Sequence, residues 1–190
     1  MSFEDRNKWN QRYREDSYRK TNPVTLLEKW LPKVPPGRAL DVACGAGRHA
    51  ILMAQAGFHV DAIDISIEGL NLAEERAQLN SLDIKWIEHD LDQPYKFEQD
   101  YDLIVVMWYV NLPLITRLCS CLAPGGYLIC EEHLVSKSEV IGPGNPNFRV
   151  AEGALKKAVT GLSIAHYQEA VQSNRAGDRI ASAQLVARRK

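Results

Sequence analysis

Short apolar segments alternate with helical segments through the middle of the chain, and this alternation constrains the fold more than any other feature. Strands are predicted at 38–43, 59–64, 84–90, 101–108 and 127–134, and the helices between them at 47–57, 66–80 and 112–122. Strands and helices of these lengths form right-handed β-α-β crossovers. We therefore predict an α/β fold with a mostly parallel sheet and helices on both faces.

The pattern changes toward the end of the chain. A loop rich in glycine and proline (142–147) precedes a predicted helix at 150–159, and two further strands are predicted at 162–171 and 179–189. The turn between these two strands is short enough for a hairpin, so the strands must be antiparallel. The sheet is therefore expected to end in an antiparallel edge.

Two helices are predicted before the alternating region, at 3–14 and 24–31. A chain of 190 residues is long enough to bury one substantial core. We predict a single domain over residues 1–190, in which a helical cap (1–35) covers an α/β core (38–190).

Charge and apolar patterning exclude several kinds of partner. The net charge of −1 provides no field that would gather nucleic acid or an anionic membrane surface. No apolar run approaches the roughly 20 residues that a membrane span needs, and the charged N-terminus lacks the apolar segment of a signal peptide. We therefore expect a cytoplasmic protein with no nucleic-acid partner and no membrane partner, and the oligomeric state stays open.

Four cysteines are present, at positions 44, 119, 121 and 130, all in apolar surroundings. Their spacing does not fit a zinc site, and no histidine cluster supplies further ligands. Buried, reduced thiols and no metal site are expected.

The segment "ALDVACGAGRHA" (39–50) places Gly45 and Gly47 directly after the first predicted strand. Glycines there allow a ligand to approach the backbone closely, and ligands of open parallel sheets bind beyond the carboxyl ends of the strands. The spacing Gly45-x-Gly47-x-x-Ala50 also satisfies the loose dinucleotide fingerprint. The glycine turn alone therefore leaves a redox cofactor and other adenosyl ligands open.

Three acids lie in register with this turn, and two of them, Asp41 and Asp90, separate these possibilities. Asp64 ends the second predicted strand, where a carboxylate can accept hydrogen bonds from a ribose diol in either class of enzyme. Asp41 lies inside the first strand, where a dinucleotide fingerprint requires an apolar residue but a cofactor with a cationic amino-acid end can use an acid. Asp90 follows the third strand and is placed to accept a hydrogen bond from an adenine amino group. The acids favour an adenosyl cofactor with an amino-acid end.

These motifs, in this order, resemble class I S-adenosylmethionine-dependent methyltransferases from about residue 38 to residue 189. In that family, "LDVACGAGRH" is the glycine-rich motif, "DIS" (64–66) holds the ribose acid, the "D-L" pair at 90–91 contacts adenine, and "L-x-PGG-x-L" introduces strand five. The resemblance implies S-adenosylmethionine as the cofactor. It also implies a Rossmann-like seven-stranded sheet in the order 3-2-1-4-5-7-6 with strand 7 antiparallel.

The segment "WNQRY" (9–13) and the loop "GPGNPNFR" (142–149) are also similar to the tellurite-resistance and thiopurine methyltransferase-like branch. The resemblance suggests that Trp9 and Tyr13 close the cofactor pocket. The predicted cofactor-binding residues are Asp41, Ala43, Gly45, Gly47, Arg48, Asp64, Ile65, Asp90, Leu91, Trp9 and Tyr13. The side chain of Arg48 could pair with the cofactor carboxylate, pair with an anionic acceptor or remain solvated.

Methyl transfer from a sulfonium requires mainly that the acceptor be held in line with the departing sulfur. Trp108 and Tyr109 follow strand four, where the family places acceptor-side residues, and His133 at the end of strand five is the best-placed base. We predict these three as catalytic residues, and Arg149 as a further acceptor-side candidate.

The sequence is therefore interpreted as a methyltransferase that acts on a small-molecule methyl acceptor. Two alternatives remain open: a nicotinamide-dependent oxidoreductase on a similar fold, and a non-catalytic module that binds S-adenosylmethionine without turnover.

Overall fold

A computed structural model describes residues 3–15, 22–174 and 176–190 of the chain. The strands are β1 (Arg38–Val42), β2 (His59–Asp64), β3 (Ile84–Glu88), β4 (Tyr101–Met107), β5 (Leu122–His133), β6 (Leu162–Ser173) and β7 (Arg179–Arg189). The α-helices are α1 (Phe3–Arg14), α2 (Thr25–Trp30), α3 (Arg48–Gln55), α4 (Ile67–Leu79), α5 (Leu112–Leu118) and α6 (Ala154–Ala158). Short 3-10 helices cover Leu31–Lys33, Cys119–Cys121 and Pro146–Phe148.

The strands form one sheet in the order β3-β2-β1-β4-β5-β7-β6. The pairs from β3 to β5 are parallel, and β7 runs antiparallel to both β5 and β6. The predicted Rossmann-like sheet, its strand order and its antiparallel seventh strand are confirmed. The carboxyl ends of β1, β2, β4 and β5 therefore meet along one edge of the sheet.

Both faces of the sheet are covered by helices. On one face, Leu40 and Val106 pack in a core with Ile115 of α5 and Leu155 of α6. A second core on the other face joins α2, α3 and α4 to the sheet, through the buried side chains of Ala39, Leu103, Leu27, Met53 and Leu70. Burial on both faces explains why the central strands are continuous apolar runs instead of alternating ones.

Two elements start four or five residues away from the predicted position. Strand β5 begins at Leu122, so the Pro-Gly-Gly segment predicted as a turn lies inside an extended strand, with Gly125 at a φ of 84°. Helix α6 begins at Ala154 instead of residue 150, because Val150 is held extended by a 2.7 Å bond from its N–H to the carbonyl of His133. The left-handed Gly153 then starts the helix.

Helix α1 spans the residues predicted for it and contacts α4. The prediction of a cap over residues 1–35 falls partly on residues 1–2 and 16–21, which lie outside the described ranges, and it stays a prediction. In the ranges that are described, no helix is both long enough and apolar enough to cross a membrane.

Candidate active site

The glycine turn after β1 has the backbone conformation that its sequence predicts. Gly45 and Gly47 have φ values of 55° and 74°, in the left-handed region that side chains disfavour. A Cβ atom on Gly47 would lie 2.7 Å from the Cβ of Ala73 and 2.9 Å from the ring of Trp86. Gly47 is therefore required where α3 packs against α4 and β3, whereas Gly45 faces Tyr13.

The carboxylate of Asp64 is held in place by backbone donors. Its Oδ2 atom accepts a 2.8 Å hydrogen bond from the N–H of Gly45, and its Oδ1 atom accepts one of 2.8 Å from the N–H of Ser66. Burial raises the pKa of Asp64, and these two N–H groups oppose the rise. Each carboxylate oxygen has a further lone pair for a ligand hydroxyl. The structure thus brings Asp64 to the glycine turn; its role with ribose stays a prediction.

Asp41 is a buried carboxylate without a hydrogen bond. Its side chain is 1% exposed, and neither oxygen has a hydrogen-bond partner among the described residues. Burial raises its pKa to about 7. The backbone N–H of Ala50, which lies nearby but does not reach hydrogen-bond geometry, and the charge of Arg48 oppose the rise. Buried polar groups are normally satisfied. An unsatisfied carboxylate beside the glycine turn fits the cationic amino group of S-adenosylmethionine.

The guanidinium of Arg48 lies near the site. Burial lowers its pKa, and the charges of Asp41 and Glu131 and the Tyr13 hydroxyl oppose that effect. One guanidinium nitrogen also donates a 3.4 Å hydrogen bond to the carbonyl of Asn22. Arg48 is therefore a half-buried cation among the site's acids, and its pairing with a cofactor carboxylate stays a prediction.

Helix α1 lies across the glycine turn. A side chain on Gly45 would overlap the hydroxyl of Tyr13, and a Cβ on Gly69 would lie 3.0 Å from the Tyr13 ring. The ring of Trp9 stacks on Tyr13 with centroids 6.1 Å apart. Tyr13 therefore lies over Gly45, and its role in closing a cofactor pocket stays a prediction.

Asn10 joins α1 to the start of α4 through hydrogen bonds, a role that was not predicted from the sequence. Its Oδ1 atom accepts a 2.7 Å hydrogen bond from the Ser66 hydroxyl and a 3.4 Å bond from the N–H of Glu68. Arg14 adds a 2.8 Å ion pair with Glu68. The available signal was the position of Asn10 between the two aromatic residues of "WNQRY".

The remaining predicted cofactor residues lie around the same sheet edge. Ala43 follows β1 with a positive φ of 56°, and Ile65 follows β2 and is 2% exposed. Asp90 is half-buried, its Oδ1 atom accepts a 3.0 Å hydrogen bond from the N–H of Asp92, and the neighbouring Leu91 packs in a core. Cofactor contacts by these four residues stay predictions.

The ends of β4 and β5 bring the three predicted catalytic residues to this edge. Trp108 has a φ of 62°, and its ring packs against the imidazole of His133 in a tilted arrangement, with centroids 4.4 Å apart. Burial raises the pKa of Tyr109, and the charges of Asp90, Asp64 and Glu132 act in the same direction. Tyr109 therefore lies between the cofactor-side acids and the end of β5.

The loop at 142–149 packs against the end of β5. A Cβ on Gly142 would lie 3.1 Å from the imidazole of His133 and 3.0 Å from the guanidinium of Arg149. Arg149 donates hydrogen bonds of 2.9 Å to the carbonyl of Pro143 and 3.0 Å to that of Leu134. The Arg149 side chain thus stabilises the loop through these hydrogen bonds, a structural role that was not predicted from the sequence.

Two buried glutamates beside His133 were not selected from the sequence as site residues. Glu131 is 2% exposed, and its Oε1 atom accepts a 2.9 Å hydrogen bond from Gln184. Glu132 is 0% exposed, and neither of its oxygens has a hydrogen-bond partner among the described residues. Two consecutive acids at the end of an apolar strand were the signal that could have identified them.

Comparison with known proteins agrees with this geometry. A family model described as a methyltransferase domain matches residues 39–126. A putative methyltransferase, YqeM of Bacillus subtilis (strain 168), is 35% identical over 86 residues, which cover 44% of this chain and 34% of that protein. The ribosomal protein L11 methyltransferase of Campylobacter concisus (strain 13826) is 34% identical over 108 residues, which cover 56% of this chain and 38% of that protein. The chain thus spans little more than a third of the length of these two curated relatives.

Solved structures share the fold at low sequence identity. TehB from Haemophilus influenzae superposes with a TM-score of 0.78 at 22% identity, over 95% of this chain and 67% of that one. The N-methyltransferase NodS from Bradyrhizobium japonicum WM9, solved with S-adenosyl-L-homocysteine, gives a TM-score of 0.73 at 18% identity, over 97% of each chain.

The matched segment begins in β1 and ends in β5, so it includes the glycine turn, Asp64 and Asp90. The likeness to TehB, at 22% identity, is a likeness of fold. The predicted resemblance to S-adenosylmethionine-dependent methyltransferases is confirmed, and S-adenosylmethionine as the cofactor with it. Residues 39–126 match a methyltransferase domain, and the fold of the chain is the one that TehB and NodS share.

Proposed function

We propose that the protein transfers a methyl group from S-adenosylmethionine to a small molecule by direct in-line displacement. The observation that carries the proposal is the unsatisfied, buried carboxylate of Asp41 next to the Gly45 turn, with Asp64 fixed on the other side of that turn. A carboxylate for an ammonium group and a second for a ribose diol fit this cofactor at one sheet edge.

The cofactor-side roles follow from these positions. Asp64 binds the ribose hydroxyls through the lone pairs that Gly45 and Ser66 leave available. Asp41 binds the cofactor ammonium group, and Arg48 binds its carboxylate. The adenine lies near Asp90, and the other predicted cofactor residues line the pocket: Ala43, Gly47, Ile65, Leu91, Trp9 and Tyr13.

The acceptor lies at the ends of β4 and β5, against Trp108, Tyr109 and His133. S-adenosylmethionine supplies a methyl group that its sulfonium has already activated. The aromatic rings exclude water and accommodate positive charge near the sulfur. The side chains hold the acceptor in line, which supplies up to about 7–11 kcal/mol in favourable cases.

A small acceptor is favoured because this end of the site is enclosed. Glu131 and Glu132 are buried, and the loop at 142–149 packs over His133. The relatives include methyltransferases of protein and of small-molecule acceptors, since the ribosomal protein L11 methyltransferase is named for a protein and another solved structure is a magnesium protoporphyrin IX methyltransferase.

The position of α1 over the glycine turn also supports a single domain in which residues 1–35 cap the core at 38–190. The four cysteines are free and buried, which supports the cytoplasm as the location.

Transfer of a labelled methyl group tests this function. The protein would be incubated with methyl-labelled S-adenosylmethionine and either a small-molecule extract or a mixture of ribosomal proteins and release factors. We expect label in the small-molecule fraction. Label in the proteins alone would contradict the proposed acceptor class, and cofactor binding without any transfer would instead support a non-catalytic binding module.

A further inference from the structure

The end of β5 contains a second buried carboxylate that the protein itself does not satisfy. Glu132 is 0% exposed, and both of its oxygens are without hydrogen-bond partners within the described ranges. Burial and the neighbouring charge of Glu131 hold the pKa of Glu132 well above its ordinary range, and the nearby backbone N–H of Tyr109, which does not reach hydrogen-bond geometry, opposes this rise. None of these influences comes from a cation.

The other buried acids of the site have compensating groups. Asp64 accepts two backbone hydrogen bonds, Glu131 accepts one from Gln184, and Asp41 lies in the field of Arg48. Leaving a buried polar group without a partner costs about 1–3 kcal/mol, and more for a charged group. Glu132 therefore incurs a cost that a ligand could remove.

Glu132 lies on the acceptor side of the proposed site. Glu131 pairs with Met107 across the parallel strands, so Glu132 extends one residue past the end of β4. Its backbone neighbour there is Tyr109, and the charges of Glu132 and Asp64 both raise the pKa of the Tyr109 hydroxyl. The Tyr109 hydroxyl therefore lies in the electrostatic field of both Glu132 and the proposed ribose acid.

We propose that the methyl acceptor is a small amine and that Glu132 binds the acceptor nitrogen and takes up its proton. This inference rests on the proposed function, because it assigns the acceptor of the same site. A cationic or N–H-bearing group satisfies the free oxygens of Glu132, whereas an anionic acceptor would be repelled by the ionised carboxylate of Glu132.

The proposed transfer needs only the cofactor, the acceptor amine and the carboxylate of Glu132. The lone pair of the neutral nitrogen forms the new N–C bond as the C–S bond breaks, and the sulfur keeps the electron pair. The nitrogen becomes positively charged, and its N–H proton passes to the carboxylate of Glu132. A hydroxyl acceptor would have to lose a much less acidic proton as it attacks, for which a carboxylate is a poorly matched base.

Substitution by an uncharged amide of the same shape tests the inference. Wild type, Glu132→Gln and the control Glu75→Gln, an exposed position on α4, would be compared on a panel of primary and secondary amines with matched alcohols and thiols. Affinity for S-adenosylhomocysteine would be measured for each by calorimetry. We expect transfer to at least one amine, a loss of kcat/KM on the order of 100-fold in Glu132→Gln, and cofactor affinity within twofold in all three proteins.

The outcomes separate this inference from the proposed function. Methylation of alcohols or thiols but of no amine would overturn the acceptor class while leaving a methyltransferase in place. Equal amine turnover by wild type and Glu132→Gln would remove Glu132 from the reaction, and binding of S-adenosylhomocysteine without transfer to any panel member would also count against the inference. No binding of S-adenosylhomocysteine by the wild type would overturn both proposals.

Discussion

The Oδ2 atom of Asp64 accepts a 2.8 Å hydrogen bond from the backbone N–H of Gly45, which joins the end of β2 to the turn after β1. The same carboxylate binds the N–H of Ser66, the cap residue of α4. One side chain thus fixes the glycine turn and the start of α4 relative to each other. The proposed ribose acid therefore also supports the backbone around the cofactor.

Replacing Asp64 by alanine tests this dual role. We expect at least a tenfold loss of affinity for S-adenosylhomocysteine, and destabilisation by about 1–3 kcal/mol because two buried N–H groups lose their acceptor. Asp83→Ala, at an exposed position before β3, is the matched control. Calorimetry and urea unfolding measure the two effects, and unchanged affinity would show that the ribose binds elsewhere.

The overlap between a side chain on Gly45 and the Tyr13 hydroxyl gives a second prediction. Gly45→Ala introduces a methyl group against Tyr13 at a φ of 55°, where a left-handed alanine also costs roughly 1–2 kcal/mol. We expect Gly45→Ala to weaken S-adenosylhomocysteine binding more than tenfold.

Adding Tyr13→Ala shows how much of the Gly45 effect is a clash. In the double variant the tyrosine is gone, so the Gly45→Ala change should destabilise the protein less than it does beside Tyr13. Thermal unfolding of the four proteins in this cycle measures the coupling. Strictly additive effects would mean that Tyr13 does not lie over Gly45.

The buried carboxylate of Asp41 predicts a pH dependence of stability. Its pKa is about 7 in the folded protein against an ordinary value of 3.8. The folded state therefore binds the Asp41 proton more tightly than the unfolded state does. The contribution of Asp41 to the free energy of unfolding is fully present below about pH 4 and is lost as the pH rises toward 7. At 1.36 kcal/mol per pKa unit, the loss amounts to at most about 4 kcal/mol.

Asp41→Asn removes that titration. Without ligand, the variant should gain stability relative to wild type between pH 5 and pH 8, since an amide stays neutral while the wild-type carboxylate ionises. The same variant should bind S-adenosylhomocysteine more weakly. Urea unfolding at both pH values checks the first expectation, and a stability difference that does not change with pH would refute it.

The fold was predictable because its signals are local and repeated. Every strand from β1 to β4 starts at the predicted residue. In the central strand β4, burial on both faces gives a nearly continuous apolar run. The start of β5 was missed because Pro124 and the two glycines after it are typical of a turn, yet pairing with β4 extends the strand through them.

Site residues could be predicted from the sequence only where they belong to a recognisable motif. Asp64 and Gly45 could be paired from the sequence because the ends of neighbouring parallel strands meet. The hydrogen-bond partners of Asn10 and Arg149 could not be predicted from the sequence, because they depend on how α1 and the loop at 142–149 pack against the core. Glu132 was not predicted as a site residue, because what distinguishes it is that its carboxylate oxygens have no hydrogen-bond partner among the described residues. That property depends on the folded surroundings and cannot be read from the sequence.

Asn10 gives a prediction about the cap. Asn10→Ala removes the acceptor for the Ser66 hydroxyl and for the N–H of Glu68. We expect destabilisation by about 1 kcal/mol and weaker cofactor binding, because α1 would hold Tyr13 over the turn less firmly. Gln11→Ala, on an exposed position of the same helix, is the control, and equal cofactor affinity in both variants would remove α1 from the binding site.

Calorimetric titration of the wild-type protein with S-adenosylhomocysteine, and separately with NAD, tests the assignment of the glycine turn most directly. The acids at Asp41 and Asp64 predict one site with micromolar affinity for S-adenosylhomocysteine and no measurable heat with NAD. Micromolar binding of NAD with none of S-adenosylhomocysteine would contradict the account and make the protein a nicotinamide-dependent oxidoreductase on a similar fold.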